Sequence, residues 1–329
     1  MPTTASDLAT ARERPAPQPS FGGYPPTAVF ASVMGFASVG LAWRFAADSL
    51  AVPAIIGEAI LVNASLLFVV LAVLYSRKLI YASHLVRSEY HDASSSSYFG
   101  TIVIAISLLA YAAIPYSRVL GTVLWAISAI SGAVLLLALL GNWIVDEVKT
   151  VQITPLWFTP IVGNATTAYA ASALGYREIG IASFAFASLC WLTIQPLVFY
   201  RLHFAEPLPA RAAPSLAILV SSPAVLATAW YQLTGGGGIV FDILVFKALF
   251  LAALVVRLRK MARGMGFAVS AWSYSFPAGA LAGALLRYHV SVPGALTFVL
   301  AVLGLALATA IVIFVAIRSL IGLCRTQNV

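Results

Sequence analysis

Residues Val292–Ile317 read VPGALTFVLAVLGLALATAIVIFVAI, with no Asp, Glu, Lys or Arg among them. A helix rises about 1.5 Å per residue, so roughly twenty residues cross a hydrocarbon core about 30 Å thick. The run is long enough to span a bilayer. Its apolar residues are continuous rather than alternating, which argues against the strands of a barrel. Lipid offers the backbone no hydrogen bonds, so such a run satisfies its own N–H and C=O groups as a helix. The composition agrees: 61% of the 329 residues are hydrophobic and 9% are charged, against about 25% charged in a soluble domain.

Nine more runs of this kind precede it, near residues 28–46, 52–75, 97–115, 118–145, 156–175, 178–202, 213–233, 239–259 and 264–286, the last run taken as 292–317. The expectation is an all-α integral membrane protein of ten transmembrane helices. Residues 1–26 read as a disordered cytoplasmic tail, rich in Pro, Ala and Thr and without the apolar core of a signal peptide. Residues 27–318 form the ten-helix domain and 319–329 a short cytoplasmic tail. The connections are short, so successive helices are antiparallel neighbours, and Gly235–Gly238 marks the clearest turn.

Basic residues test the count. With the N-terminus inside, one side carries Arg12, Arg14, Arg77, Lys78, Arg87, Lys149, Arg201, Arg211, Arg257, Arg259, Lys260, Arg263, Arg318 and Arg325. The other carries Arg44, Arg118, Arg177 and Arg287, and Lys247 falls within a span. This asymmetry favours an even number of spans and cytoplasmic termini. It also accounts for the net charge of +8 through topology, without a nucleic-acid partner.

The spans differ in kind. The odd-numbered ones are rich in Gly, Ser, Thr and Pro, whereas spans four and ten are plainer Leu, Val and Ala. This parity predicts an inner set of helices surrounded by an outer set, with span six (Gln195, Pro196) the exception. Candidate lining residues are Ser32, Gly35 and Ser38, then Thr159, Asn164 and Thr167, then Ser221, Ser222 and Ser273. The alternative is that small residues simply let helices pack closely. Pro160, Pro223 and Pro277 fall in three odd spans, where a missing N–H predicts kinks that widen an aqueous path.

Several segments, in this order, resemble the tellurite-resistance/dicarboxylate transporter family, which includes the slow anion channels of plant guard cells. They are Phe30-Ala-Ser-Val-Met-Gly-Phe-Ala-Ser-Val-Gly-Leu-Ala-Trp-Arg44, Arg87-Ser-Glu-Tyr-His91 and Thr159-Pro-Ile-Val-Gly-Asn164 with Leu174-Gly-Tyr176. Leu208-Pro-Ala-Arg-Ala-Ala-Pro-Ser215 with Ser221-Ser-Pro-Ala224 and Trp272-Ser-Tyr-Ser-Phe-Pro277 complete the set. The resemblance covers nearly all ten spans. It implies five helical hairpins about a pseudo-fivefold pore lined by the odd-numbered helices, a homotrimer with one pore per protomer, and a bacterial inner-membrane location. It also implies that Phe276 plugs the pore. Read without the resemblance, Phe276 is an ordinary core aromatic. One position departs from the family: a glycine near the start of the first span aligns with Ala31, although Gly35 supplies a neighbouring one.

No catalytic constellation is present, so an enzyme is not expected. His84, His91, His203 and His289 lie in loops or near span ends with no metal-ligand spacing. Cys190 and Cys324 form no metal motif, and no phosphate loop or dinucleotide fingerprint occurs. No metal or cofactor is therefore expected. The odd spans offer hydroxyls, an amide and backbone groups but no fixed charge at mid-depth. That suits weak, passing contact with small anions, since conduction needs binding loose enough to release. Glu58 and Lys247 are the intramembrane charges, and such residues are functional candidates by default. Both lie on even spans, which favours structural or inter-subunit pairing; proton coupling through Glu58 is the alternative. The expected function is a channel or uniporter for small anions such as chloride, nitrate, malate-like carboxylates or sulfite. The alternative is a proton-coupled dicarboxylate or oxyanion (sulfite or tellurite) carrier.

Overall fold

Connections of a few residues force consecutive long helices back against each other. The computed structural model describes residues 23–92, 95–258 and 269–326. The expected tail through residue 22, the start of the ninth run, and Arg12, Arg14, Arg259, Lys260 and Arg263 lie outside the described residues, as does the side chain of Cys324. Among the described residues there are eleven α-helices and no strand. They are α1 (Phe30–Leu50), α2 (Ala54–Tyr81), α3 (Ser83–His91), α4 (Phe99–Ala113), α5 (Arg118–Val145), α6 (Phe158–Leu174), α7 (Arg177–Phe204), α8 (Ile218–Thr234), α9 (Ile239–Leu258), α10 (Ser275–Ser291) and α11 (Ala295–Thr326). The pairs α1–α2, α4–α5, α6–α7, α8–α9 and α10–α11 pack as hairpins.

The first members of the hairpins form a closed ring: α1 packs on α4, α4 on α6, α6 on α8, α8 on α10, and α10 returns to α1. Burial follows the same division. The apolar stretches of α1, α4 and α8 are 61%, 67% and 89% buried, while those of α2, α5, α7, α9 and α11 are between 11% and 28% buried. The outer helices present large apolar side chains outward, such as Val62, Leu66 and Val69 on α2 and Leu303 and Leu307 on α11. A continuous belt of this kind is matched to lipid rather than water.

Eight of the helices are long and apolar enough to cross a membrane. The fifth and ninth expected runs are split: their α-helices, α6 and α10, are 17 residues each, preceded by 3-10 turns at Pro155–Trp157 and Val269–Tyr274. All five inner helices begin this way, the others after Thr27–Val29, Ser96–Tyr98 and Ala210–Ala217. The prolines follow from this. Pro160 and Pro277 are each the third residue of their α-helix, in the first turn, where an amide has no intrahelical partner to lose. They start helices rather than kink them. Pro223 alone of the three lies in the interior of its helix, α8.

Small residues set the spacing of the ring. A Cβ on Gly35 would lie 2.7 Å from the Ser275 Cβ, and one on Gly279 would lie 2.9 Å from the Ser38 Cβ and 2.9 Å from the Val39 amide nitrogen. The α1–α10 contact is therefore built from two reciprocal Gly–Ser pairs. The α4–α6 contact is against backbone alone, because a Cβ on Gly100 would meet the Pro160 nitrogen at 2.7 Å and the Thr159 carbonyl carbon at 2.8 Å. Backbone cannot rotate aside, so Gly100→Ala is expected to force the two helices apart at a cost of about 1–3 kcal/mol. A lowered thermal midpoint in detergent, with loss of folded yield, checks this.

The turn after α1 carries a mismatch of the opposite kind. Ala51 caps that helix with φ of +54°, a left-handed conformation that Gly175 and Gly235 adopt after α6 and α8. A side chain there costs roughly 1–2 kcal/mol. Ala51→Gly is expected to raise the midpoint by a few degrees; an unchanged or lower midpoint would count against strain at this cap.

α3 is held by a buried ion pair. Lys78 of α2, fully buried, meets the Glu89 carboxylate at 2.7 Å. Thr27 donates to the other carboxylate oxygen at 2.6 Å, Tyr75 to the same oxygen at 3.4 Å, and Lys78 also donates to the Pro25 carbonyl at 3.2 Å. The chain just before α1, α2 and α3 are thereby joined at the end of the ring where the inner helices begin. Lys78, counted in the sequence among the basic residues of one side, is thus fully buried.

Candidate functional site

A small cavity of about 40 Å³ lies inside the ring. Every inner helix contributes to its wall: Ser38, Leu41 and Ala42 from α1, Leu108 and Tyr111 from α4, Tyr169 from α6, Val225 and Thr228 from α8, and Phe276, Gly279, Ala280, Gly283 and Arg287 from α10. The α10 residues fall at i, i+3, i+4, i+7 and i+11, a single stripe of one helical face. Phe276, 2% exposed, sits at the start of that stripe. Arg287 sits at its other end, about 16 Å along the axis at 1.5 Å per residue. The glycines between them supply the room.

The predicted lining residues separate. Ser38 is in the wall, but its hydroxyl donates to the Gly35 carbonyl at 2.9 Å. Ser32, Thr167 and Ser221 likewise bond the carbonyl three residues back, on Val29, Asn164 and Ile218. Gly35 packs against Ser275. Asn164 turns outward and donates to the Gly132 carbonyl of α5 and to the Pro160 carbonyl, both at 3.1 Å, so its amide ties an inner helix to an outer one. Thr159 and Ser222 have buried hydroxyls without a partner, and Ser273 is buried. Of these nine residues, Ser38 alone borders the cavity.

The intramembrane charges also find places. Glu58 accepts a bidentate pair from Arg44, Nε to Oε1 at 2.7 Å and Nη2 to Oε2 at 2.8 Å. The Arg44 Nη1 donates to the Ala112 carbonyl at 2.9 Å, and Tyr116 donates to Glu58 at 2.6 Å. That hydrogen bond raises the Tyr116 phenol above its ordinary range. Lys247 lies 4.2 Å over the Trp191 ring of α7, a cation–π contact. Neither Glu58 nor Lys247 borders the cavity.

Arg287 overturns the expectation of a wall without fixed charge. It was counted among the charges outside the spans, but it lies within α10 and is only 6% exposed. The i+11 spacing from Phe276, through Gly279, Ala280 and Gly283, is the signal in the sequence that places it on the same face.

Residues 24–320 match the profile of a family described as voltage-dependent anion channel (SLAC1). The chain belongs to that SLAC1 family. Among its relatives, the S-type anion channel SLAH3 of Arabidopsis thaliana is 27% identical over 306 residues, covering 90% of this chain and 48% of the plant protein. The guard cell S-type anion channel SLAC1 of the same plant is 24% identical over 307 residues, 90% of this chain and 55% of that protein. The tellurite resistance protein TehA homolog of Haemophilus influenzae is 23% identical over 269 residues, 80% of this chain and 81% of that protein. The chain thus spans about half the length of the plant relatives. SLAC1-family membership accounts for the apolar helical architecture, and the resemblance read from the motifs is to this same family. The matched segment contains every wall residue of the cavity.

Proposed function

We propose that this chain is a passive channel for small anions, with ten membrane spans arranged as five hairpins around a pseudo-fivefold pore that Phe276 closes. The observation that carries this reading is the cavity itself. Five helices in a closed ring each contribute to one wall, and Phe276 stands in that wall at the start of the α10 stripe. An aromatic ring across a constriction closes it by excluding water, because a small anion cannot shed its hydration cheaply. The relatives' names, which describe S-type anion channels, agree with the class of solute.

The 17-residue helices α6 and α10 complete the ten spans with their 3-10 lead-ins, whose steeper rise of about 2 Å per residue lengthens each segment. The termini are cytoplasmic, the site of action is a bacterial inner membrane, and the working form is a homotrimer with one pore per protomer. Chloride, nitrate, malate-like carboxylates and sulfite are the candidate solutes. The proton-coupled carrier is the weaker reading, because the membrane carboxylate it would use, Glu58, is engaged by both forks of Arg44 and lies off the cavity.

Bilayer recordings and liposome uptake under chloride, nitrate and malate gradients, with and without a pH gradient, test the function. Currents that reverse at the anion equilibrium potential and ignore pH are expected. Uptake driven by the pH gradient, in silent bilayers, would replace the channel with a coupled carrier. Mass measurement in native-like nanodiscs tests the trimer.

A further inference from the structure

Arg287 is a buried charge without a counter-charge. Ion pairs among the described residues join Arg44 to Glu58, Lys78 to Glu89 and Arg177 to Glu178, and none includes Arg287. Its Nη1 donates to the Gly283 carbonyl at 3.0 Å, one turn back on its own helix. Its Nε is buried and has no hydrogen-bond partner. The guanidinium carbon lies 4.2 Å from the centre of the Phe45 ring and 5.9 Å from that of Tyr231. Contact with the aromatic faces supports the cation, but it adds no acceptor for the N–H groups around the guanidinium edge.

A guanidinium is a permanent cation with five N–H donors and no acceptor. Burying an ion without a partner is strongly unfavourable. The cavity it borders is open to a neutralising ion, and Tyr111 and Tyr169 add phenol groups to the same wall. We propose that Arg287 forms an anion-binding site inside the cavity, beyond Phe276, that selects small monovalent anions. This rests on the channel reading for its role in permeation, but the site itself is a property of the resting protein.

The chemistry follows from the charge balance. One monovalent anion neutralises one guanidinium, whereas a dianion leaves a net negative charge in a cavity largely walled by Leu, Ala, Gly and Val. The planar fork favours two parallel hydrogen bonds to nitrate or a monocarboxylate over the single contact open to chloride. The bond to Gly283 and the aromatic contacts hold the side chain in place without an ion, and this keeps binding loose enough for release.

Two measurements test the site. The first is the thermal midpoint of the purified protein in detergent, at constant ionic strength, as gluconate is exchanged for nitrate, chloride or sulfate. A ligand bound only by the folded state raises the midpoint. Wild type is expected to be stabilised by nitrate and chloride and not by sulfate, and Arg287→Gln is expected to lose that response. Equal midpoints for wild type in all four anions would overturn the proposal, as would an unaltered response in Arg287→Gln. Should Arg287→Gln not fold, Arg287→Lys keeps the charge and removes the fork: nitrate's advantage over chloride is then expected to disappear, and its persistence would overturn the fork assignment.

The second measurement records from the Phe276→Ala background. Adding Arg287→Gln is expected to raise the half-saturating chloride concentration by about tenfold or more, the scale of one lost charge-assisted hydrogen bond, and to lower the nitrate-to-sulfate permeability ratio. Unchanged saturation and selectivity would overturn the role in permeation. Absence of any anion current in either background would overturn the channel reading, while the thermal response still decides the binding site.

Discussion

Phe276→Ala is expected to raise anion conductance by more than tenfold over wild type. The Phe276 ring is 2% exposed and stands in the wall to which all five inner helices contribute. Its removal leaves Gly279, Ala280 and Gly283 as the next α10 residues along the same wall, none of which reaches across. Each ~1.4 kcal/mol taken from a barrier is about tenfold in rate, and dehydrating an ion at a greasy constriction costs several times that. The substitution also empties part of the core. Phe→Ala changes in cores cost about 3–5 kcal/mol, so expression and a sharp elution profile have to be established alongside the recordings. Phe276→Leu, nearer in volume, is expected to lie between the two. A well-expressed Phe276→Ala protein with wild-type current would remove this side chain from the gate.

Glu89→Ala is expected to be the most destabilising single change away from the cavity. The substitution takes away the carboxylate 2.7 Å from the fully buried Lys78 ammonium. It also removes the acceptor used by Thr27 and Tyr75. Breaking a buried pair from one side costs about 3–5 kcal/mol, while replacing both ions with apolar groups of similar size is often close to neutral. The double variant Lys78→Met/Glu89→Leu is therefore expected to recover most of the stability lost by Glu89→Ala. Thermal midpoints of wild type, Lys78→Met, Glu89→Leu and the double variant measure this coupling. Losses that simply add would mean that the pair contributes nothing beyond its separate packing.

Periodicity and composition were enough for the helices, because a backbone in lipid has few other ways to satisfy its polar groups. The parity of Gly, Ser and Thr between odd and even runs also pointed to the ring, since close-packed inner helices need small residues at their contacts. Direction around each helix was less legible. Asn164 looks like a lining residue in a list of polar side chains, yet its amide faces Gly132 on α5. Gly35 reads as room in a wall, but it is filled by Ser275. The prolines carried the right message about local backbone and the wrong one about place, because the sequence does not show where a 3-10 turn hands over to an α-helix. Charges were the least legible. A basic residue near the end of an apolar run reads as topogenic, whether it reaches water, as Arg177 does, or turns inward, as Arg44, Lys78 and Arg287 do.

Taken alone, the sequence determined the class of the molecule: apolar helices joined by short turns, small residues concentrated in every second helix, and the motifs of one family. Those properties are written in local composition and spacing, and the bilayer leaves the backbone little choice. Only the tertiary structure decided which side chains meet across helices far apart in the chain. It closed the ring of α1, α4, α6, α8 and α10, paired Glu58 with Arg44, and set Phe276 and Arg287 on one wall. The physical reason is that such contacts depend on the rotation of each helix about its own axis. That rotation is set by the fit of glycine against serine and backbone in the neighbouring helix.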